Sequence, residues 1–134
     1  LGSLNLQRGR DHGLPTYAQA RRDLGLGAPA SFAQMSTRQD VLDRLSVAAR
    51  SPEMLDLWVG GLAEDPLPGS LVGELFHTIL TEQFIGLRDG DRLWYSRQLP
   101  QELAQLAEDQ SLSRILSRNT NLSPPYLQAP FTAR

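Results

Sequence analysis

The chain has 134 residues, of which 40% are hydrophobic and 21% charged. This is the make-up of one globular domain and not of a disordered or low-complexity chain. A net charge of -2 gives no reason to expect a nucleic-acid or acidic-membrane partner, and the lack of cysteine excludes an internal disulfide while leaving the redox compartment open.

The densest pattern lies in the first fifteen residues, Leu1-Gly-Ser-Leu-Asn-Leu-Gln-Arg-Gly-Arg-Asp-His-Gly-Leu-Pro15. On a helix, Leu1, Leu4, Asn5 and Arg8 fall at i, i+3, i+4 and i+7, which puts them in one stripe. Two apolar residues, an amide and a guanidinium suit a partner that is apolar in its middle and polar at its edge. Gly9 is expected to end this helix, with Gly13 and Pro15 closing the turn that follows. Pro15 to Leu24 predicts a short helix with Tyr17, Ala20 and Leu24 in register, ended by Gly25, Gly27 and Pro29. Ser31 to Met35 reads as one helical turn. Thr37 with Asp40 resembles a capping box for a helix reaching Ala49, with Val41, Leu42, Leu45 and Ala48 inward. Ser51-Pro-Glu53 reads as a cap, a first-turn proline and an acid, opening a short helix that gives way at Trp58-Val-Gly-Gly61.

Leu62 to Gly69, with Pro66 and Pro68, reads as a loop. Ser70 to Leu87 is the strongest predicted helix. Leu71, Val72, Leu75, Phe76, Ile79, Leu80, Phe84 and Ile85 give it an apolar face too wide for one neighbouring layer. Arg88-Asp-Gly-Asp91 reads as a turn that lacks the remaining ligands of a calcium loop, with Leu93, Trp94 and Tyr95 packing back onto the core. Pro100 to Glu108 is amphipathic through Leu103 and Leu106. Ser111 caps a last helix to Ser117, with Leu112, Ile115 and Leu116 inside. From Asn119 the proline-bearing tail reads as extended and carries the triplet Asn121-Leu122-Ser123, a glycosylation sequon. Without repeats or period-2 strands, the expected class is all-α, helices with long irregular connections.

Two histidines without metal-ligand spacing predict no metal site. His12 reads as a structural hydrogen-bonder in the turn, and His77 as a histidine at the border of an apolar helix face. Glu64-Asp65 and the pair Asp89 and Asp91 read as solvated acids or caps. No stretch reads as a signal peptide or a membrane span.

The stretch Leu4-Asn-Leu-Gln-Arg-Gly-Arg-Asp-His-Gly-Leu-Pro15 resembles the proximal-side signature of the animal-type haem peroxidases, the peroxidase–cyclooxygenase superfamily. Tyr17 to Leu24, Trp58-Val-Gly-Gly-Leu-Ala-Glu64, Leu87-Arg-Asp-Gly-Asp-Arg-Leu-Trp-Tyr95 and Ser111-Leu-Ser-Arg-Ile-Leu-Ser-Arg-Asn-Thr120 follow in the family's order. The resemblance implies that Asn5 accepts a hydrogen bond from a proximal haem-ligating histidine, that Arg8 pairs with a haem propionate, and that Leu1 and Leu4 line the proximal haem face. Among Arg8, Arg10, Arg21 and Arg22, it implies that one or two face propionates.

The family's proximal and distal histidines, its calcium loop and its haem-attaching carboxylates belong upstream. The resemblance therefore implies that 1–134 is a single partial domain, the C-terminal portion of an animal haem peroxidase domain, with 119–134 an extended tail. The implied cofactor is haem, with its axial ligand supplied by an upstream remainder, and calcium would belong to that remainder. The implied function is the proximal-side part of an enzyme that reduces hydrogen peroxide and oxidises halide or small organic donors, with a secreted or extracellular location. The alternative is a degenerate, non-catalytic peroxidase-like binding or structural module.

Overall fold

The computed structural model of the chain describes residues 1–122, which form α-helices α1 Gly2–Asp11, α2 Tyr17–Asp23, α3 Gln39–Ala48, α4 Leu57–Ala63, α5 Glu74–Gly90, α6 Tyr95–Gln98, α7 Gln101–Glu108 and α8 Leu112–Asn119. Two 3-10 turns, Phe32–Gln34 and Pro52–Met54, lie between them. The fold is all-α. The expected tail falls almost wholly outside the described residues, as does Ser123 of the sequon. The chain divides into two compact units, Leu1–Gly86 and Leu87–Arg134.

In the first unit, Tyr17, Ala18, Ala20, Met35, Leu45, Leu55 and Leu75 form the buried core. The ends of α1 and α2 use the same device. Gly13 N–H donates to Arg10 C=O (3.0 Å) and Leu14 N–H to Gly9 C=O (2.9 Å), the two-bond closure of a Schellman motif with Gly13 at φ +66°. Gly25 at φ +72° repeats it through Gly25 N–H to Arg22 C=O (3.0 Å) and Leu26 N–H to Arg21 C=O (2.8 Å). Gly9 therefore does not break α1, as its residue type predicted. Its carbonyl closes the helix end, and an added Cβ would meet Leu14 Cδ1 at 3.6 Å, an ordinary contact.

The glycine pair where the predicted helix was to give way is also helical, and long-range packing requires glycine at both positions. A Cβ on Gly60 would lie 2.2 Å from Tyr17 Cγ, and one on Gly61 would lie 2.5 Å from Phe76 Cε1. Ser51 makes no side-chain cap bond and opens only the 3-10 turn. The working caps are Thr16 for α2 and Asp56 for α4, whose carboxylate accepts from Trp58 N–H at 3.0 Å.

The Thr37 capping box does not form either. Asp65 takes Thr37 N–H (2.6 Å) and Ser36 Oγ–H (2.5 Å), and α3 starts at Gln39 without a side-chain cap. Ala49, not Ala48, joins Leu45 and Val41 against the core. The bonds from Ser36, then Thr37, hold the Asp65 carboxyl below its usual range. A depressed carboxyl adds stability above the ordinary aspartate range and loses it as pH falls through the folded value. In urea unfolding, wild type is expected to exceed Asp65→Asn near neutrality, with the gap closing under acid. A gap independent of pH would show that charge at Asp65 contributes nothing.

The long helix begins at Glu74, not Ser70. Leu71 and Val72 fall before it, where Leu67 N–H bonds Val72 C=O at 3.1 Å. Leu75 is buried, Phe76 and Ile79 are half-buried, and Leu80, Phe84 and Ile85 are exposed. Arg88, Asp89 and Gly90 extend the helix where a turn was predicted.

In the second unit, Arg97 donates to the carbonyls of Asp89 and Asp91 at 3.1 and 3.0 Å. Trp94 and Tyr95 pack against one another, tilted by 50° with centroids 5.0 Å apart. Leu93 is exposed and does not pack inward. Gln101–Glu108 and the Ser111-capped Leu112–Asn119 match the spans of their predicted helices closely, but Leu112 and Ile115, predicted to lie inside, are exposed. No described helix is long and apolar enough to cross a membrane.

Candidate functional site

Helix α1 keeps the spacing on which the predicted stripe depends, so Leu4, Asn5 and Arg8 share one face, with Leu1 at the N-cap. Two of the four meet in one cleft. Asn5, Arg8, Gly9 and His12 from α1 and its end, Leu14 from the turn, and Asp56, Leu57 and Trp58 from the start of α4 line a space of about 550 Å³. Leu1 and Leu4 lie outside this lining and are 95% and 64% exposed.

The cleft has an apolar wall and a polar one. Trp58 is fixed at its backbone by the Asp56 cap, and its ring packs on Phe76 with centroids 5.4 Å apart. Among the described residues, neither the Asn5 amide nor the Arg8 guanidinium has a hydrogen-bonding or ion-pair partner. Both are therefore available to a ligand. His12 Nδ1 lies 2.9 Å from Arg8 C=O, in the structural role predicted for it. His77 is exposed on α5. No group of three or more His, Cys, Asp or Glu among the described residues could hold a metal ion.

A second space, of about 580 Å³, is lined in part by Tyr17, Arg21, Ser36, Glu64, Asp65 and Glu74. Its charged groups already satisfy one another. Glu64, expected to be solvated or a cap, is a cap whose side chain is only 5% exposed. One Glu64 oxygen accepts Tyr17 Oη–H (2.7 Å) and Arg21 Nη1–H (2.5 Å), and the other accepts Leu75 N–H (2.8 Å) at the start of α5. Arg21 also binds Glu74 and donates through Nε to Gly27 C=O at 2.6 Å. Burial, then the bond to Glu64, pushes the Tyr17 hydroxyl above the usual tyrosine range, while Arg21 pulls it back. Burial opposes the charge on Arg21, but the bonds to Glu74 and Glu64 and the nearby Tyr17 outweigh it and raise its affinity for the proton.

Of the four arginines in the basic cluster, Arg21 is thus committed to the core. Arg22 is committed to a bidentate pair with Glu53 at 2.8 and 2.9 Å. The buried network escaped sequence reading. Its one local sign is Arg21 one turn after Tyr17 on an apolar stripe.

The chain is similar to known proteins along nearly its whole length. The family model "Animal haem peroxidase" matches residues 1–130. Peroxinectin A of Dictyostelium discoideum is 39% identical over 121 residues, 90% of this chain and 23% of that protein. Thyroid peroxidase of Sus scrofa is 42% identical over 134 residues, 96% of this chain and 14% of that protein. Among solved structures, Peroxidase A from Dictyostelium discoideum superposes with a TM-score of 0.76 at 36% identity, covering 92% of this chain and 25% of that one. The chain therefore spans a quarter or less of each of these relatives.

Proposed function

The chain belongs to the animal haem peroxidase family, and from that premise we propose that it forms the proximal-side, haem-binding part of a peroxidase. The observation that carries the proposal is the cleft in which Asn5 and Arg8, both without partners among the described residues, face an apolar wall of Leu14, Leu57 and Trp58.

That donor set fits haem, whose macrocycle is apolar and whose propionates are anionic. Arg8 would hold a propionate, since a planar guanidinium can donate two parallel bonds to a carboxylate. Asn5 would accept the ring N–H of an axial imidazole supplied from outside this chain. As a neutral acceptor, it fixes ring orientation without giving the ligand the anionic character that a carboxylate would. Leu1 and Leu4, exposed on the same helix, would cover the proximal face. When bound, haem supplies the iron at which peroxide is reduced and a halide or small organic donor is oxidised. We further propose that 1–134 acts as one part of a larger domain and that the whole protein is secreted or extracellular.

Haem titration of the chain, followed at the Soret band, tests this reading. Binding is expected to be weak and without a sharp low-spin spectrum, because the axial imidazole comes from outside this chain, and weaker still in Arg8→Ala. Affinity indifferent to Arg8→Ala would remove the cleft assignment. A stoichiometric low-spin spectrum lost in His77→Ala would make His77 a ligand and contradict an outside axial imidazole.

A further inference from the structure

We propose that His12 is a second, proton-dependent donor to the anionic group that Arg8 holds. The inference rests on the cleft reading above and adds a pH-dependent control of the same site.

Its basis is the geometry at the end of α1. His12, the C-cap of α1, follows Arg8 by four residues, the spacing of neighbours on a helix face, and both residues line the cleft. His12 Nδ1 is 2.9 Å from the Arg8 carbonyl oxygen. A carbonyl can only accept, so Nδ1 must carry the proton. The neutral ring therefore presents an unprotonated Nε2, an acceptor that repels a carboxylate. Protonation turns Nε2 into a charged donor without disturbing the bond that orients the ring. Histidine is the side chain whose unperturbed pKa puts this change between pH 5 and 8.

The charged groups facing this ring in the cleft are Arg8 of its own helix and Asp56 at the start of α4. Arg8 carries the same sign of charge as an imidazolium and Asp56 the opposite sign. One Asp56 oxygen already accepts Trp58 N–H. A carboxylate seated beside Arg8 would tip the balance, so binding should take up a proton and strengthen as pH falls. The shape of the site favours carboxylates on the rim of a flat apolar ligand, set against Trp58 and Leu57.

The probe is iron-free protoporphyrin IX, which keeps both propionates and fluoresces, with its dimethyl ester as the carboxylate-free control. Between about pH 6 and about pH 8 the diacid carboxylates stay ionised. Over that range the diacid is expected to bind the chain roughly two- to fivefold more weakly as pH rises, the scale of an exposed ion pair, and the ester is expected to show no slope. His12→Gln keeps a donor that does not titrate and should flatten the diacid profile, whereas His77→Gln should leave it unchanged. His12→Lys, permanently charged, should also give a flat profile, on the tight side. In the unsubstituted chain, saturating diacid should raise the titration midpoint of the His12 ring protons seen by NMR. A slope that survives His12→Gln, or a midpoint that does not move while the diacid binds, overturns the role of His12 and leaves the cleft reading standing. Failure of the diacid to bind at any pH overturns both.

Discussion

Replacing Arg21 with alanine is expected to cost about 3–5 kcal/mol of folding stability, the scale for removing one partner of a buried ion pair. Against a total of roughly 5–15 kcal/mol for an ordinary domain, that is enough to bring unfolding close to working temperatures. Arg21 is 8% exposed, and the Glu64 side chain it meets is 5% exposed. Alanine would leave that carboxylate buried with Tyr17 and Leu75 N–H as its remaining donors, and Gly27 C=O without its partner. The effect should spread, since Glu64 ties α2 to α4 and caps α5. Arg22→Ala is the internal control. It also removes an arginine–glutamate pair, but one with side chains 43% and 54% exposed, where water replaces the lost contact. Urea unfolding of the two variants decides the matter. Comparable losses in both would mean that the buried network contributes no more than a surface pair.

Helices were legible in the sequence wherever apolar spacing and caps are local. Tyr17 and Ala20, Val41 and Leu45, and Ser111 ahead of Leu112 mark their elements correctly, because each signal acts within a few residues. What was misread depends on residues far apart. Gly60 and Gly61 look like a helix end, yet they lie within α4, where Tyr17 and Phe76 from other segments leave no room for a side chain. Thr37 looks like a cap, but Asp65, twenty-eight positions on, takes its N–H. Arg21 looked like a surface or ligand-facing cation until Glu64 and Glu74, forty-three and fifty-three positions away, neutralised it.

The candidate site divides in the same way. The α1 spacing that puts Asn5 and Arg8 on one face is local and was visible. Leu57, Trp58 and Asp56, which complete the cleft opposite them, arrive through the packing of α4 and could not be read from periodicity.

The second large effect is expected at Asn5 and Arg8 in a haem-loaded polypeptide that contains this segment and supplies an axial histidine. Asn5→Leu would leave the imidazole N–H without an acceptor, at roughly 1–3 kcal/mol if buried, and should loosen the iron–imidazole geometry. Arg8→Ala should instead deplete haem, since it removes a propionate partner and leaves the axial imidazole untouched. Asn5→Asp separates these roles, because it keeps the side chain's shape while replacing a neutral acceptor with an anion. The imidazole then gains imidazolate character and pushes electron density onto iron. The most direct measurement is the ferric/ferrous midpoint potential of Asn5→Asp beside wild type, with haem content read from the Soret band. A lowered potential at near-normal haem content is the predicted result. An unchanged potential with unchanged spectra would mean that Asn5 does not touch the axial ligand, and that the cleft is not the proximal side of a haem site.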